Sequence, residues 1–223
     1  NQNVSAEFDL FTNAASDLKR AGIQATALQK GTLLDLNTAE ISKLRAQQPE
    51  VLTLSLPLPQ QANVKVNLIR NKVLAPDFIW RHSSNPEREM NYEAGLYFNG
   101  VIENDPNSLV SISVFEDEII GMIHVESGNY VIGKVKGANS SKHLIYKDTD
   151  LLSPISTECG TEDDGVVYKA EDLTYTVNSR APGDCIRVYI EIDDDIVTNK
   201  GGASGATNYV TGLMNEVITL YAY

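Results

Sequence analysis

The stretch from residue 94 to residue 135 constrains the fold of this chain more than any other. It holds four short runs rich in β-branched and aromatic residues, and each break between them carries turn chemistry. The breaks contain Asp105-Pro106-Asn107-Ser108, the charged tip Glu116-Asp117-Glu118, and Ser127-Gly128-Asn129. The pattern predicts an antiparallel meander with strands over residues 101–103, 110–114, 119–125 and 130–135. Because a meander buries one face of its sheet, the residues before it must pack against that face.

The residues before the meander predict two helices and several further strands. Leu10, Phe11 and Leu18 fall at helical spacing, so a short helix is expected within residues 5–21, and Asn37 with Glu40 forms a capping box for a second helix ending before Pro49. Strands are expected over residues 33–36, 51–58, 64–68 and 73–80, and residues 81–91 are expected to form a loop. One further strand, after the meander, is expected over residues 144–146. The prediction for residues 1–152 is an α+β fold, predominantly antiparallel β, of β-sandwich or barrel-like form.

The composition changes after residue 152. Residues 153–182 are acidic with few apolar runs, which is typical of an extended linker. Residues 185–192 then form a near-continuous β-branched run typical of a buried strand, and a polar stretch leads to a helix. The apolar residues of that helix recur at 3.6-residue spacing: Ala206, Tyr209, Val210, Leu213, Val217, Leu220 and Tyr221. Residues 183–223 therefore predict an incomplete α/β strand-helix unit.

Charge and composition exclude several classes of protein. A formal net charge of −12 argues against nucleic-acid or anionic-membrane partners, and the apolar fraction of 42% is that of a globular protein. No apolar run of the length of a membrane span is present, so no membrane span is expected. The chain begins at Asn1 without a Met, which fits removal of a signal peptide, and we expect a secreted protein.

Residues 98–132 resemble part of the propeptide of reprolysin-type (adamalysin or ADAM-type) zinc metalloprotease precursors. That segment has the pattern G-x-V-x-x-x-P-x-S-x-V-x-L-S followed by G-x-I-x-x-x-x-x-x-Y-x-I. The matching positions are Gly100, Pro106, Ser108, Val110, Gly121, Ile123, Tyr130 and Ile132, and Val101 lies one residue before the position of the first valine in the pattern.

A second resemblance lies near the end of the chain, in the order that the family has. Residues 187–193 and the following helix are similar to the first strand and first helix of a reprolysin-type catalytic domain. The match rests on Val188, Tyr189, Ile190, Glu191, Met214, Asn215 and Tyr221. Together the resemblances imply the propeptide of a secreted zinc metalloendopeptidase precursor over residues 1–152. The propeptide would act as folding aid and inhibitor of its own protease domain, whose beginning would be residues 183–223.

Cys159-Gly160 lies between the two matching regions, where the family places a cysteine switch. The resemblance implies that the Cys159 thiolate occupies the open position of the catalytic zinc and excludes the water that would become the nucleophile. The flanks depart from the family, since Glu158 precedes the cysteine. A disulfide between Cys159 and Cys185 is the alternative, worth about 3 kcal/mol for a loop of this size. Both roles stay open.

The metal ligands of such an enzyme are absent from this sequence. The zinc motif H-E-x-x-H is missing, and the histidines His82, His124 and His143 are scattered, so the chain should be inactive alone and zinc would bind in a later part of the catalytic domain. Glu191 matches a glutamate that contributes to a calcium site in some reprolysins. An ordinary strand glutamate is the alternative.

A different class of function is also compatible with the pattern: a secreted or cell-surface β-sandwich binding module without catalysis. The two hypotheses differ in what they expect of residues 183–223. The binding module requires the C-terminal helix to pack against the sheet of the same chain. The precursor hypothesis expects that helix to be frayed or held by a neighbouring molecule.

Overall fold

The computed structural model describes residues 6–15, 18, 27–59, 62–135, 142–152, 165, 169 and 186–222. Its strands are β1 (Ala6–Phe8), β2 (Phe11–Ala15), β3 (Thr32–Leu36), β4 (Val51–Leu56), β5 (Val64–Asn71), β6 (Arg81–His82), β7 (Asn85–Glu89), β8 (Leu96–Ile102), β9 (Asp105–Val114), β10 (Ile119–Val125), β11 (Gly128–Lys134) and β12 (Lys142–Lys147). Its α-helices are α1 (Thr38–Gln47), α2 (Asp194–Asn199) and α3 (Ala203–Tyr221). The chain divides into two compact units, one formed by Asn1–Ser153 with Ile192–Tyr223 and the other by Pro154–Glu191.

Ten of the strands form one curled sheet in the order β1-β4-β5-β8-β9-β10-β11-β12-β3-β2. Every neighbouring pair is antiparallel except β1 and β4, which run parallel. The sheet curls into a half-barrel around one apolar core. The predicted fold class, α+β with a predominantly antiparallel β domain, is confirmed.

The N-terminal segment joins the two edges of this sheet. β1 pairs with β4 at one edge and β2 pairs with β3 at the other, although only Asp9 and Leu10 separate β1 from β2. The predicted helix within residues 5–21 is therefore wrong where the structure describes this segment. Phe8 and Leu10 are buried in the core, and the gain from edge pairing and burial outweighs the local helical preference of the segment.

The predicted meander is confirmed as β8 to β11, with longer strands than the pattern suggested. The first turn lies at Glu103-Asn104, before Pro106, because Asn104 adopts the left-handed conformation with φ of 68°. The hydroxyl of Ser108 accepts a hydrogen bond from the Ile102 amide at 2.7 Å and donates one to the Asp105 carbonyl at 2.6 Å. This side chain fixes the two strands on either side of the turn.

Helix α1 agrees with its predicted caps. The Asn37 side chain accepts a hydrogen bond from the Glu40 amide at 3.3 Å, and Gln48, whose φ of 46° is left-handed, caps the C-terminal end of the helix. Ile41 and Leu44 are fully buried against the sheet core. The helix thus covers part of the concave face, as the pattern predicts.

The predicted strand over residues 73–80 is absent, and the predicted loop over residues 81–91 contains the small hairpin of β6 and β7. This hairpin belongs to no other sheet, and its residues are exposed. The rings of Phe78 and Trp80 each lie 5.8 Å from the ring of Tyr92. Aromatic contacts, together with a hydrogen bond of 2.9 Å from the Met90 amide to the Trp80 carbonyl, therefore hold the base of the hairpin.

The predicted strand over residues 185–192 is not formed in its described part. Residues 186–193 take part in no β-ladder, and Ile186, Val188 and Tyr189 are exposed, since no described strand pairs with them. Helix α2 was not predicted. Asp193 is its N-cap, and the Asp193 side chain accepts a hydrogen bond from the Asp194 amide at 2.7 Å. The assignment of residues 183–223 to a protease domain stays a prediction.

Leu44→Ala should lower the free energy of unfolding by about 2–5 kcal/mol, because it removes a fully buried side chain and leaves a cavity beneath α1. The measurement is equilibrium unfolding in denaturant. Ser42→Ala, on the exposed side of the same helix, is the matched control and should change stability by less than about 0.5 kcal/mol. Equal effects of the two variants would contradict the assigned orientation of α1.

Candidate functional site

The predicted site residues are only partly within the described structure. Cys159 and Cys185 lie outside the described residues, so neither the cysteine switch nor the disulfide is tested. Glu191 is described and exposed, in the unit Pro154–Glu191. Within the described ranges, no three His, Cys, Asp or Glu side chains lie close enough together to hold a metal ion. The zinc and calcium assignments remain predictions.

The most distinctive contact in the described chain is between helix α3 and the outer face of the sheet. Helix α3 lies across β8, β9 and β10. The residues that it buries there are mainly small or polar: Ala206, Thr207, Thr211, Gly212, Asn215 and Thr219. Four of them, Thr207, Thr211, Asn215 and Thr219, recur every four residues and so lie along one side of the helix. We call these four residues the polar stripe.

The carboxamide of Asn215 is the centre of this contact. Its Nδ2 lies 2.9 Å from Ser111 Oγ and 3.2 Å from Ser113 Oγ, and also 3.1 Å from the carbonyl oxygen of Phe98 and 3.3 Å from that of Ile112. Its Oδ1 accepts a hydrogen bond from Nδ2 of Asn71 at 2.8 Å.

Asn215, Ser111 and Ser113 are all fully buried. A buried amide is tolerated when its donors and acceptor are all satisfied, as they are here. The network therefore fixes both the position and the rotation of α3 on the sheet.

The threonines of the polar stripe satisfy their hydroxyls within the helix. Thr207, Thr211 and Thr219 each donate to the carbonyl four residues earlier, at 2.8–2.9 Å. Their methyl groups are then free to contact the sheet without leaving a polar atom unpaired. The stripe is thus compatible with close approach to the serine-bearing face of β9.

A second polar contact holds the first half of α3. The hydroxyl of Tyr92 donates to Asn208 Oδ1 at 2.9 Å and lies 3.2 Å from Thr211 Oγ1. Burial raises the pKa of Tyr92 above its usual value, so the phenol stays protonated and able to donate.

Gly212 allows the helix to approach β10. A Cβ at this position would lie 3.0 Å from Cδ1 of Ile120. The small residue therefore sets the distance between α3 and the sheet.

Glu216 is the single acidic side chain of helix α3, which has no Lys, Arg or His. Burial raises its pKa from 4.5 to about 7. The Tyr146 hydroxyl on β12 is affected as well: burial, Asp148 and Glu216 all raise its pKa. The carboxyl of Glu216 is consequently the group that makes the contact between α3 and the sheet sensitive to pH.

A cavity of about 660 Å³ opens beside the start of α3. Its lining carries both signs of charge, with Glu116, Asp117 and Glu118 facing Lys134 and Lys200. Lys134 and Asp117 form an ion pair at 2.5 Å, and burial raises the pKa of Glu118 against the opposing effect of Lys200 and Lys134. Because its charges largely offset one another, the cavity favours neither a simple anion nor a simple cation.

No known protein family model matches this chain, and no curated protein matches it either. None of the described helices has the length and apolar character that crossing a lipid bilayer requires.

The sequence did not single out the polar stripe as a contact surface. It named Asn215 only through the resemblance and assigned the buried side of α3 to the apolar residues. Of those residues Ala206 is buried, whereas Leu213, Leu220 and Tyr221 are exposed. The spacing T-x-x-x-T-x-x-x-N-x-x-x-T was visible and, together with the alternating serines of β9, was the available signal.

Asn215→Ala should weaken the attachment of α3 by about 2–4 kcal/mol, because it leaves buried serine hydroxyls and backbone carbonyls without their donor. The measurement is native-state hydrogen exchange of the α3 amides, supported by equilibrium unfolding. Ser204→Ala, an exposed position on the same helix, is the control. Protection of α3 that is unchanged in Asn215→Ala would contradict the role of the carboxamide.

The attachment of α3 should also weaken as the pH rises. The folded-state pKa of Glu216, about 7, lies above the usual 4.5, so the stabilising protonated form is present below pH 4.5 and is lost as the pH rises through 7. Because the side chain is partly exposed, we expect the free energy that attaches α3 to the sheet to fall by only about 1–2 kcal/mol between pH 5 and pH 8.

Glu216→Gln should remove this pH dependence, and hydrogen exchange of α3, corrected for the intrinsic effect of pH, measures it. Glu126→Gln, at the exposed turn between β10 and β11, is the matched control and should keep the wild-type dependence. Identical pH profiles for the wild type and Glu216→Gln would refute the assignment.

Proposed function

We propose that this chain is the propeptide region of a secreted zinc metalloendopeptidase precursor, followed by the first strand and helix of its protease domain. In this proposal the sheet domain helps the protease domain to fold and keeps it inactive. The observation that carries the proposal is the position of Asn215. This residue is part of the resemblance to the first catalytic-domain helix, and it is also the buried anchor of that helix on the propeptide-like sheet.

The anchoring gives the folding role a physical basis. A short helix is marginal in water on its own and gains most of its stability from contacts with a folded partner. The sheet supplies such a partner through Asn71, Phe98, Ser111 and Ser113, and so would keep α3 helical while later residues fold. Release would require the hydrogen bonds of this contact to be broken, and water can replace them.

The inhibitory role belongs to Cys159. In the proposal its thiolate fills the open coordination position of the catalytic zinc, and cleavage of the acidic linker over residues 153–182 removes it. Zinc, and calcium at a site that includes Glu191, would be bound by the complete protease domain.

The precursor proposal predicts two results from the natural gene product. The coding sequence beyond Tyr223 should contain H-E-x-x-H-x-x-G-x-x-H, and mass spectrometry of the secreted protein should show cleavage between residues 150 and 184. In the precursor, Cys159→Ala should give proteolytic activity before cleavage, whereas Cys185→Ala should not. A coding sequence that ends at Tyr223, or one that continues without the zinc motif, would overturn the proposal.

One observation favours a second candidate, the binding module without catalysis. Helix α3 lies against the sheet of its own chain, which is the arrangement that this candidate requires. The precursor hypothesis expected this helix to be frayed or held by a neighbouring molecule, and the contact with its own chain departs from that expectation. The precursor proposal therefore requires that the propeptide region itself holds the helix until cleavage. The two are separated by the zinc motif: if it is absent while α3 stays protected from hydrogen exchange, the binding module takes precedence.

A further inference from the structure

The three histidines of the chain lie in different surroundings, and His143 is the one that is fully buried. His82 is exposed and His124 is half-buried. His143 lies on β12, two residues before Ile145, so the two side chains share a face of the sheet, and Ile145 belongs to the apolar core. The ring of Phe11 on β2 lies 6.1 Å from the imidazole. A charged imidazole would be costly in these surroundings.

The imidazole of His143 forms a hydrogen bond that only its neutral form can make. Its Nε2 accepts a hydrogen bond from the backbone amide of Ile119 at 3.0 Å, and the contact is buried. A ring nitrogen accepts a hydrogen bond only when it carries no proton, so the proton of the neutral ring is on Nδ1. Protonation of Nε2 would place two donors against each other. Burial and hydrogen bonding therefore both favour the neutral ring.

This hydrogen bond replaces a ladder contact at the start of β10. The described ladder between β10 and β11 begins at the pair Gly121–Ile132, two residues after Ile119. The imidazole thus supplies Ile119 with the acceptor that the β11 ladder does not provide. A buried backbone amide that loses its acceptor is costly. His143 consequently holds the start of β10 to β12 across the end of β11.

The charged groups on the β10 and β11 side of this contact do not offer the ring a lasting counter-ion. Lys134 on β11 is the register partner of His143 and forms the ion pair with Asp117, so these two charges offset each other. Glu118 precedes Ile119 directly, and burial raises its pKa. The Glu118 carboxylate therefore loses its charge at a higher pH than an ordinary carboxylate does.

On the other side, β3 and β2 present mainly apolar groups. The register partner of His143 on β3 is Leu34, and β2 contributes the ring of Phe11. The neighbouring charges, Asp35 and Lys142, form an ion pair with each other at 2.5 Å. The described surroundings of the imidazole thus oppose a positive charge on the ring.

We propose that His143 is an acid-sensitive latch for the start of β10. The neutral ring holds the Ile119 amide, whereas the protonated ring cannot accept its hydrogen bond and is driven out of the apolar core toward water. The start of β10 then separates from β12, together with residues 116–118, which line the cavity beside α3. The inference does not depend on the proposed function, since it rests on the burial of His143 and on its contact with Ile119.

The first test is an NMR titration of the ring nitrogens of the three histidines in the wild-type chain of residues 1–223. His82 is exposed and should gain its proton near the usual value of about 6.5. His143 should keep the signals of the neutral ring with the proton on Nδ1 at pH values where His82 is already charged. A His143 ring that gains its proton together with that of His82 would overturn the proposal.

The second test is hydrogen exchange of the Ile119 amide, corrected for the intrinsic effect of pH. The open state binds a proton near pH 6.5 and the closed state does not, so opening becomes more favourable as the pH falls below 6.5. We expect the opening constant to rise up to about tenfold between pH 6.5 and pH 5.5, the limit for uptake of one proton. The effect of Glu216 has the opposite sign and is measured separately, on the α3 amides.

His143→Gln should flatten the pH dependence at Ile119, because its amide oxygen can accept the hydrogen bond and does not titrate. His82→Gln, which changes an exposed histidine, is the matched control and should keep the wild-type dependence. The same pH dependence at Ile119 in the wild type and in His143→Gln would overturn the proposal. If His143→Gln does not fold, the titration of the wild-type rings decides between the outcomes.

Discussion

The buried carboxamide of Asn215 is the interaction on which the arrangement of this molecule depends. An amide buried without partners would cost several kcal/mol, so α3 can occupy only the rotation that brings Asn215 to Asn71 and to the serines of β9. That rotation decides everything else about the helix. It places the threonines on the sheet and turns Leu213 and Leu220 outward. A hydrophobic contact alone would have selected the opposite rotation.

The fold was predictable where local and long-range preferences agree. The meander and α1 were predicted because turn residues, caps and the apolar pattern all favoured the same structure, as at Asn37 and Glu40. The N-terminal segment was not predictable in this way. Its pairing with β4 and β3 connects residues far apart in the sequence, and no local pattern shows that one segment will join both edges of a sheet.

The contact surface of α3 was missed because two periodic patterns share one helix. The apolar row through Leu213 has the stronger signal, and a rule that buries apolar residues selects it. The polar stripe is recognisable as a contact surface only when its hydrogen-bond partners are known. Those partners are Ser111 and Ser113, about a hundred residues earlier in the chain. The helix was therefore predictable from its sequence, but the side by which it is attached was not. The cysteine and metal assignments were not tested by the described residues.

The chemistry of the attachment bears on what it can do. Permanent interfaces are usually apolar, because buried area stabilises them without requiring fixed geometry. The attachment of α3 relies instead on a small-residue surface and on hydrogen bonds whose net value is modest, since water satisfies the same groups after release. Burial of Glu216 adds a dependence on pH that favours attachment in acid over attachment at neutral pH. A contact that is geometrically specific, modest in strength and weaker at neutral pH is compatible with the precursor proposal, in which the helix is first held and later released, as well as with the binding module.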